Sequence, residues 1–204
     1  MPARSLSRVL PALGLGLLLT AGLSGCGQAP WSTGLASSST PTATFSVAPI
    51  IPVINDLATG STTRNLKAGD VTLAVNYWST LNIGEWTPAA NKPISFSLIG
   101  TLGTDDGQAV YLSRVSVVAS VKGPSGPLTA PPASVDQASI APGYLIKTPY
   151  SYSQTFILPA VDPAATSITL AFTYEILVQS TPTSAAFAKS TASDEITVAL
   201  TPAG

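Results

Sequence analysis

The chain has 204 residues, with 9 basic and 10 acidic side chains and a formal net charge of −1. Charged residues make up 9% of it, well below the roughly 25% usual in soluble domains, so Ser, Thr, Asn and Gln must cover most of the wetted surface. The basic residues are scattered singly. No basic stripe can therefore neutralise a phosphate backbone, which argues against a nucleic-acid partner.

The N-terminal segment has the order of a secretory signal. Arg4 and Arg8 come first, an apolar stretch follows, and small residues close it. The apolar stretch covers residues 9–22. It is too short to cross a hydrocarbon core, which needs about 20 residues.

The segment ends in Leu23-Ser24-Gly25-Cys26. This tetrapeptide resembles the lipobox of bacterial lipoproteins. The resemblance implies that the chain is cut between Gly25 and Cys26, that fatty acyl chains attach to Cys26, and that residues 1–25 are removed. Removal takes away two arginines and no acidic residue, so the net charge changes from −1 to −3. The implied location is the exported side of a bacterial cell envelope, with the membrane as partner through the lipid.

Cys26 is the only cysteine, so no disulfide within the chain is possible. Residues 26–44 are rich in Gly, Ser, Thr, Pro and Ala, which is typical of a flexible linker with an r.m.s. span of roughly 20–25 Å. We expect the folded domain to occupy residues 45–204. Its first stretch, residues 45–54, predicts an edge strand interrupted by Pro49 and Pro52.

Alternation with a period of two predicts the next strands. Residues 70–78 place Val71, Leu73, Val75 and Tyr77 on one face. Residues 94–98 repeat the pattern. The turn sequence at 105–107 then leads into a strand over 110–121, so these two strands predict a hairpin.

The second half contains the clearest element. Residues 123–143 are rich in Pro and Gly and predict a long crossing connection, followed by a strand over 150–158. Residues 166–179 alternate without a break, which predicts a central strand. A polar loop over 180–193 and a last strand over 196–200 complete the expectation.

No helix is predicted after the signal. About 7–9 short strands separated by Pro/Gly turns indicate an antiparallel sandwich. The domain resembles an immunoglobulin-like Greek-key sandwich but lacks the Cys…Trp…Cys pattern. A jelly roll or a small barrel is the alternative.

The absence of histidine removes Ser-His-Asp and Cys-His catalysis and imidazole-ligated zinc. No cofactor motif or metal-ligand pattern is found. Asp105-Asp106-Gly107 is interpreted as a turn rather than a calcium loop. The remaining candidates for carboxylate chemistry are Glu85, Asp105, Asp106, Glu175, Asp194 and Glu195. The even phase over 166–179 places Glu175 opposite the apolar face, and Asp194-Glu195 at the start of the last strand would discourage edge pairing.

Trp78 and Trp86 are the candidate ligand-binding residues. Trp78 is out of phase with the apolar face of its strand, and Trp86 lies in the connection that follows. Two exposed aromatics could stack on a sugar or clamp a partner. In the other interpretation the strand bends and both cover the end of the core, as large aromatics mostly do. The same two interpretations apply to Tyr144, Tyr150 and Tyr152.

We therefore expect a non-enzymatic lipoprotein that serves as an interaction or structural module with a protein or glycan partner. The alternative is a lipoprotein that binds a carbohydrate or small apolar ligand at Trp78 and Trp86. A third hypothesis, an envelope hydrolase, would depend on Glu85 or Glu175.

Overall fold

The computed structural model describes residues 52–202, which form two antiparallel sheets packed face to face. Ten strands occur in this part of the chain, and its only helical element is the 3-10 turn Ile83–Glu85. The strands are β1 Ser61–Ala68, β2 Val71–Trp78, β3 Lys92–Leu102, β4 Val110–Gly123, β5 Gly126–Leu128, β6 Ser134–Gln137, β7 Tyr144–Leu145, β8 Tyr152–Leu158, β9 Ser167–Gln179 and β10 Phe187–Ala199.

The first sheet has the order β1-β2-β3-β8, and the second has the order β10-β9-β4. The short strands β5, β6 and β7 pair in succession along the free edge of β4. The chain crosses between the sheets from β3 to β4, from β7 to β8 and from β8 to β9. The predicted antiparallel sandwich is confirmed, and this arrangement is consistent with an immunoglobulin-like fold.

The core lies between the sheets and is centred on β9, which pairs with β10 on one side and β4 on the other. Its even-numbered residues from 168 to 176 are all buried. The ring of Phe172 lies 5.0 Å from that of Tyr77 and 5.6 Å from that of Phe96, both in the opposite sheet. The prediction of a central strand over 166–179 is confirmed.

The predicted hairpin is wrong. β3 uses both of its edges within the first sheet, pairing with β2 and β8, whereas β4 belongs to the second sheet. Residues 103–109 therefore cross from one sheet to the other. The predicted turn at 105–107 is nevertheless present. Oδ1 of Asp105 accepts a hydrogen bond of 2.9 Å from the amide of Gly107, whose φ is +102°.

The last strand is longer than expected. β10 begins at Phe187, so the polar loop covers 180–186, and Asp194 and Glu195 lie within the strand rather than at its start. Residues 187–195 look like a loop in the sequence because β10 is an edge strand whose odd-numbered residues face solvent. Its inward positions there include the small Ser190 and Ala192.

Three further differences concern edges. β1 was not predicted, since only Leu66 and Ala68 are apolar in it. The prediction of a crossing connection over 123–143 is wrong, because this segment carries β5 and β6, which pair with β4, and the chain changes sheet only after β7. Of the predicted strand over 45–54, residues 45–51 lie outside the described residues, and residues 52–54 form no strand.

Asp56 joins the chain preceding β1 to the last strand. Its amide donates to the carbonyl of Thr197 at 2.8 Å, and its Oδ2 accepts from the amide of Thr197 at 2.7 Å. Its other oxygen, Oδ1, binds the guanidinium of Arg64 at 2.7 Å. The Asp56 side chain therefore pairs the backbone N–H of Thr197, which faces away from β9 on the edge of β10.

Candidate functional site

Trp78 and Trp86 occupy different environments. Trp86 is 0% exposed, and its Nε1 donates a hydrogen bond of 3.0 Å to Oγ of Ser79. Trp78 ends β2 and is half-buried on the outer face of the first sheet, opposite Ser61 and Ser95. The two do not form a pair of exposed aromatics. The second interpretation of the sequence, in which both tryptophans cover the end of the core, is confirmed for Trp86 and wrong for Trp78.

An open groove of about 400 Å³ lies beside Trp78 on the same outer face. Its lining residues are Thr80, Leu81, Asn91, Pro93 and Ile157. Pro93 and Ile157 are register partners on β3 and β8, and Ser95, two residues along β3, is the register partner of Trp78. Trp78 is therefore not a lining residue, but it lies on the same outer face, one register step from this apolar depression.

The wall of the groove is fixed by Ser79. Its hydroxyl donates to the carbonyl of Pro93 at 2.7 Å. It also accepts from Nε1 of Trp86 at 3.0 Å and from the amide of Leu81 at 3.1 Å. One oxygen thus ties the connection after β2 to β3, so Leu81 and Pro93 are held in fixed positions on either side.

Lys92 holds the remainder of that connection. Its side chain is 0% exposed, and Nζ donates to the carbonyls of Ala90 at 2.6 Å and of Thr87 and Pro88 at 3.2 Å each. Burial lowers the pKa of Lys92, because the ammonium loses hydration. The ammonium therefore holds the backbone of residues 87–90 in place, an arrangement that we call the Lys92 clasp.

The groove lies on a face of the sandwich that carries little charge. No acidic or basic side chain lines it. Of the outward positions on the first sheet only Lys67 is charged, whereas the outer face of the second sheet carries Arg114, Lys122, Glu175, Lys189 and Glu195.

The candidate carboxylates other than Asp194 are in ion pairs or exposed. Glu175 lies on the outer face of the second sheet, as expected, and its carboxylate binds Nζ of Lys189 at 2.6 Å and Arg114 at 3.7 Å. Lys147 forms a 2.5 Å ion pair with Asp105 and lowers the pKa of that carboxyl. Glu85 is exposed in the 3-10 turn. Within residues 52–202 no group of three acidic, Cys or His side chains is placed to hold a metal ion.

A buried polar cluster lies at the seam between β1 and β10. The hydroxyl of Tyr174 donates to that of Tyr77 at 3.0 Å. Asp194 points inward between the buried positions Ala192 and Ile196, and its buried Oδ2 has no hydrogen-bond partner among the described residues. Burial raises the pKa of both tyrosines, and the charge of Asp194 raises them further. An inward charge on an edge strand opposes pairing with another chain.

The tyrosines on the other edge are also packed. The rings of Tyr144 and Tyr152 stack with their centroids 5.0 Å apart, and the Tyr152 hydroxyl donates to Asp136. Burial and this contact with Asp136 raise the pKa of Tyr152. Tyr150 is exposed. The stacked pair joins β7 to β8 across the edge of the sandwich.

Gly25 and Cys26, the predicted cleavage and lipidation site, lie outside the described residues. No protein-family model matches the sequence, and no curated protein matches it. Over residues 52–202, no helix has the length and apolar character needed to cross a bilayer.

Proposed function

We infer that this protein is a bacterial lipoprotein, anchored through Cys26 to the exported side of a cell-envelope membrane. Its sandwich would serve as a non-enzymatic interaction or structural module. The observation that carries the proposal is the Leu23-Ser24-Gly25-Cys26 sequence directly behind an apolar run with basic residues in front of it.

The physical arrangement fits this proposal. Each buried methylene of an acyl chain contributes about 0.8 kcal/mol, so two or three chains hold a soluble domain where one does not. The sandwich has a closed core of its own and needs no disulfide. In this proposal Cys26 attaches the protein to the membrane, and the surface of the sandwich contacts the partner.

Replacement of Cys26 tests the proposal. We expect the parent to fractionate with membranes and to begin with a Cys26 that carries lipid mass. The Cys26→Ala variant should be unprocessed or released, whereas Ser37→Ala, in the predicted linker, should behave as the parent. Membrane partitioning of Cys26→Ala equal to that of the parent, or a mature N-terminus other than Cys26, would refute the lipoprotein proposal.

A second function, binding of a carbohydrate or a small apolar ligand, is favoured by the groove beside Trp78. The geometry changes the residues assigned to it: Leu81, Pro93 and Ile157 line the groove in place of Trp78, and Trp86 is bonded to Ser79 from within the core. A thermal-shift screen tests this function, since a ligand that binds only the folded state raises Tm.

A further inference from the structure

We propose that the groove between the β2–β3 connection and β8 binds an uncharged glycan, with a sugar ring lying on Pro93 and Ile157. This inference rests on the proposed role of the sandwich as an interaction module and does not depend on the lipid anchor. It names the site and the chemical class of the ligand.

Exposure of Ile157 is the first observation. Its neighbours Phe156 and Leu158 point into the core, and the other outward residues of β8 are Ser153 and Thr155. Ile157 breaks this pattern with 64% of its surface exposed. No contact within the sandwich requires an apolar side chain there, so its apolar surface is available to a ligand.

The polar groups around the groove are hydroxyls and an amide. Thr80 and Asn91 are exposed at its rim. The exposed hydroxyl of Thr155 lies on the same face, one register step from Ile157, and is hydrogen-bonded at 2.7 Å to the buried Ser95. Small-ligand sites commonly combine an apolar floor with a few such polar groups.

The absence of charge selects the ligand class. A phosphate, a carboxylate or an acidic peptide would find no cation in the lining to offset its desolvation. The ammonium of Lys92 is turned inward and held by three carbonyls. A sugar ring, by contrast, presents C–H groups on its faces and hydroxyls at its rim, matching an apolar floor with neutral donors and acceptors around it.

The site is also pre-formed. Ser79 fixes Leu81 relative to Pro93, and the Lys92 clasp fixes the chain that leads to Asn91. A ligand would therefore not have to order this connection on binding, which lowers the entropic cost of association. For this reason Ser79→Ala should weaken binding even though Ser79 does not line the groove.

The experiment is titration of the full chain, purified in detergent, with cellohexaose, maltohexaose and chitohexaose, followed by thermal shift and calorimetry. We expect at least one of these neutral glycans to raise Tm by about 3–5 °C at ten times its Kd. The Ile157→Asp variant should weaken that binding by about tenfold or more, because it replaces the apolar floor with a charge.

Ile140→Asp is the matched control, since Ile140 is 61% exposed and does not line the groove. It should bind within about twofold of the parent, and both variants should keep the parent Tm without ligand. The proposal is overturned if none of the three glycans shifts Tm, as expected for a groove that receives an apolar protein segment. Equal loss in both variants also overturns it. Because binding is measured on purified protein, either outcome is independent of whether Cys26 carries lipid.

Discussion

Replacement of Lys92 by Met would test whether its buried ammonium stabilises the domain. Methionine keeps most of the apolar stem and removes the three hydrogen bonds to residues 87–90. The carbonyls of Thr87 and Pro88 retain other donors, the amides of Ala90 and Val161 respectively, whereas the carbonyl of Ala90 loses its 2.6 Å bond.

The expected loss follows from these contacts. The part-buried carbonyl of Ala90 left without a donor costs about 1 kcal/mol, the lower end of the range for an unpaired group, and each of the other two bonds contributes about 1 kcal/mol. Relief of the ammonium's desolvation offsets part of this sum. We expect Lys92→Met to lower the free energy of unfolding by about 2–3 kcal/mol, equivalent to a fall in Tm of about 5–12 °C.

Urea denaturation and calorimetry measure this loss, with Lys122→Met as control, because Lys122 is exposed. The control should stay within about 0.5 kcal/mol of the parent. Amide exchange in residues 86–91 should also accelerate in Lys92→Met. A variant as stable as its control, with unchanged exchange, would refute the interpretation of Lys92 as a clasp.

The pH dependence of Lys92 has a definite sign. Because its folded-state pKa is lowered, the unfolded chain binds more protons between that pKa and 10.5. The parent should therefore gain stability relative to Lys92→Met as pH rises through this window. An equal pH profile for the two proteins would contradict the lowered pKa.

Three further substitutions affect buried groups, and one of them is accompanied by a titration. Tyr174→Phe removes the 3.0 Å bond to Tyr77 and should lower stability by about 1–2 kcal/mol. Both tyrosines have raised pKa values, so their contribution is complete below pH 10 and is lost above it; tyrosinate absorbance from them should appear only on unfolding. Gly143→Ala would place a Cβ 2.5 Å from the carbonyl oxygen of Leu112, and we expect a loss of about 1–3 kcal/mol in urea denaturation. Trp86→Phe removes a buried hydrogen bond and core volume, and should lower stability by about 2–3 kcal/mol by the same assay.

Each of these has a contradicting outcome. Tyrosinate absorbance from the two buried tyrosines near pH 10 in the folded protein would show that their hydroxyls reach water. A Gly143→Ala variant with parent stability would mean that the backbone at position 143 can move away from Leu112 without a loss of free energy of unfolding. Unchanged stability in Trp86→Phe would place that indole outside the core.

Sequence periodicity predicts the interior of this fold better than its edges. β9 is buried on one face along its length and has partners on both sides, so its alternation is complete. β1 and the first half of β10 are edge strands, where water and small inward residues remove the apolar signal. In β4, a bulge between Leu112 and Arg114 shifts the phase, so Val110 and Val115 both face inward although they are five residues apart.

The prediction of a hairpin is wrong for a related reason. Turn chemistry at 105–107 is local, whereas the choice of sheet depends on which edges other strands occupy. The groove could not be predicted from the sequence either. Periodicity marks Trp78 as facing outward, but the pairing of Pro93 with Ile157, 64 positions away in sequence, follows only from the register of β3 and β8. The buried position of Lys92 likewise depends on carbonyls that the folded connection brings together.

The contact of Asp56 with Thr197 has a mechanical consequence. Tension arriving from the N-terminal side reaches Asp56 before it reaches β1, and two backbone-directed hydrogen bonds and an ion pair transmit it to β10 and Arg64. β10 is held to β9 by thirteen register pairs. A force applied to the chain ahead of the domain is thus divided between β1 and β10, which belong to different sheets. It does not act on β1 alone.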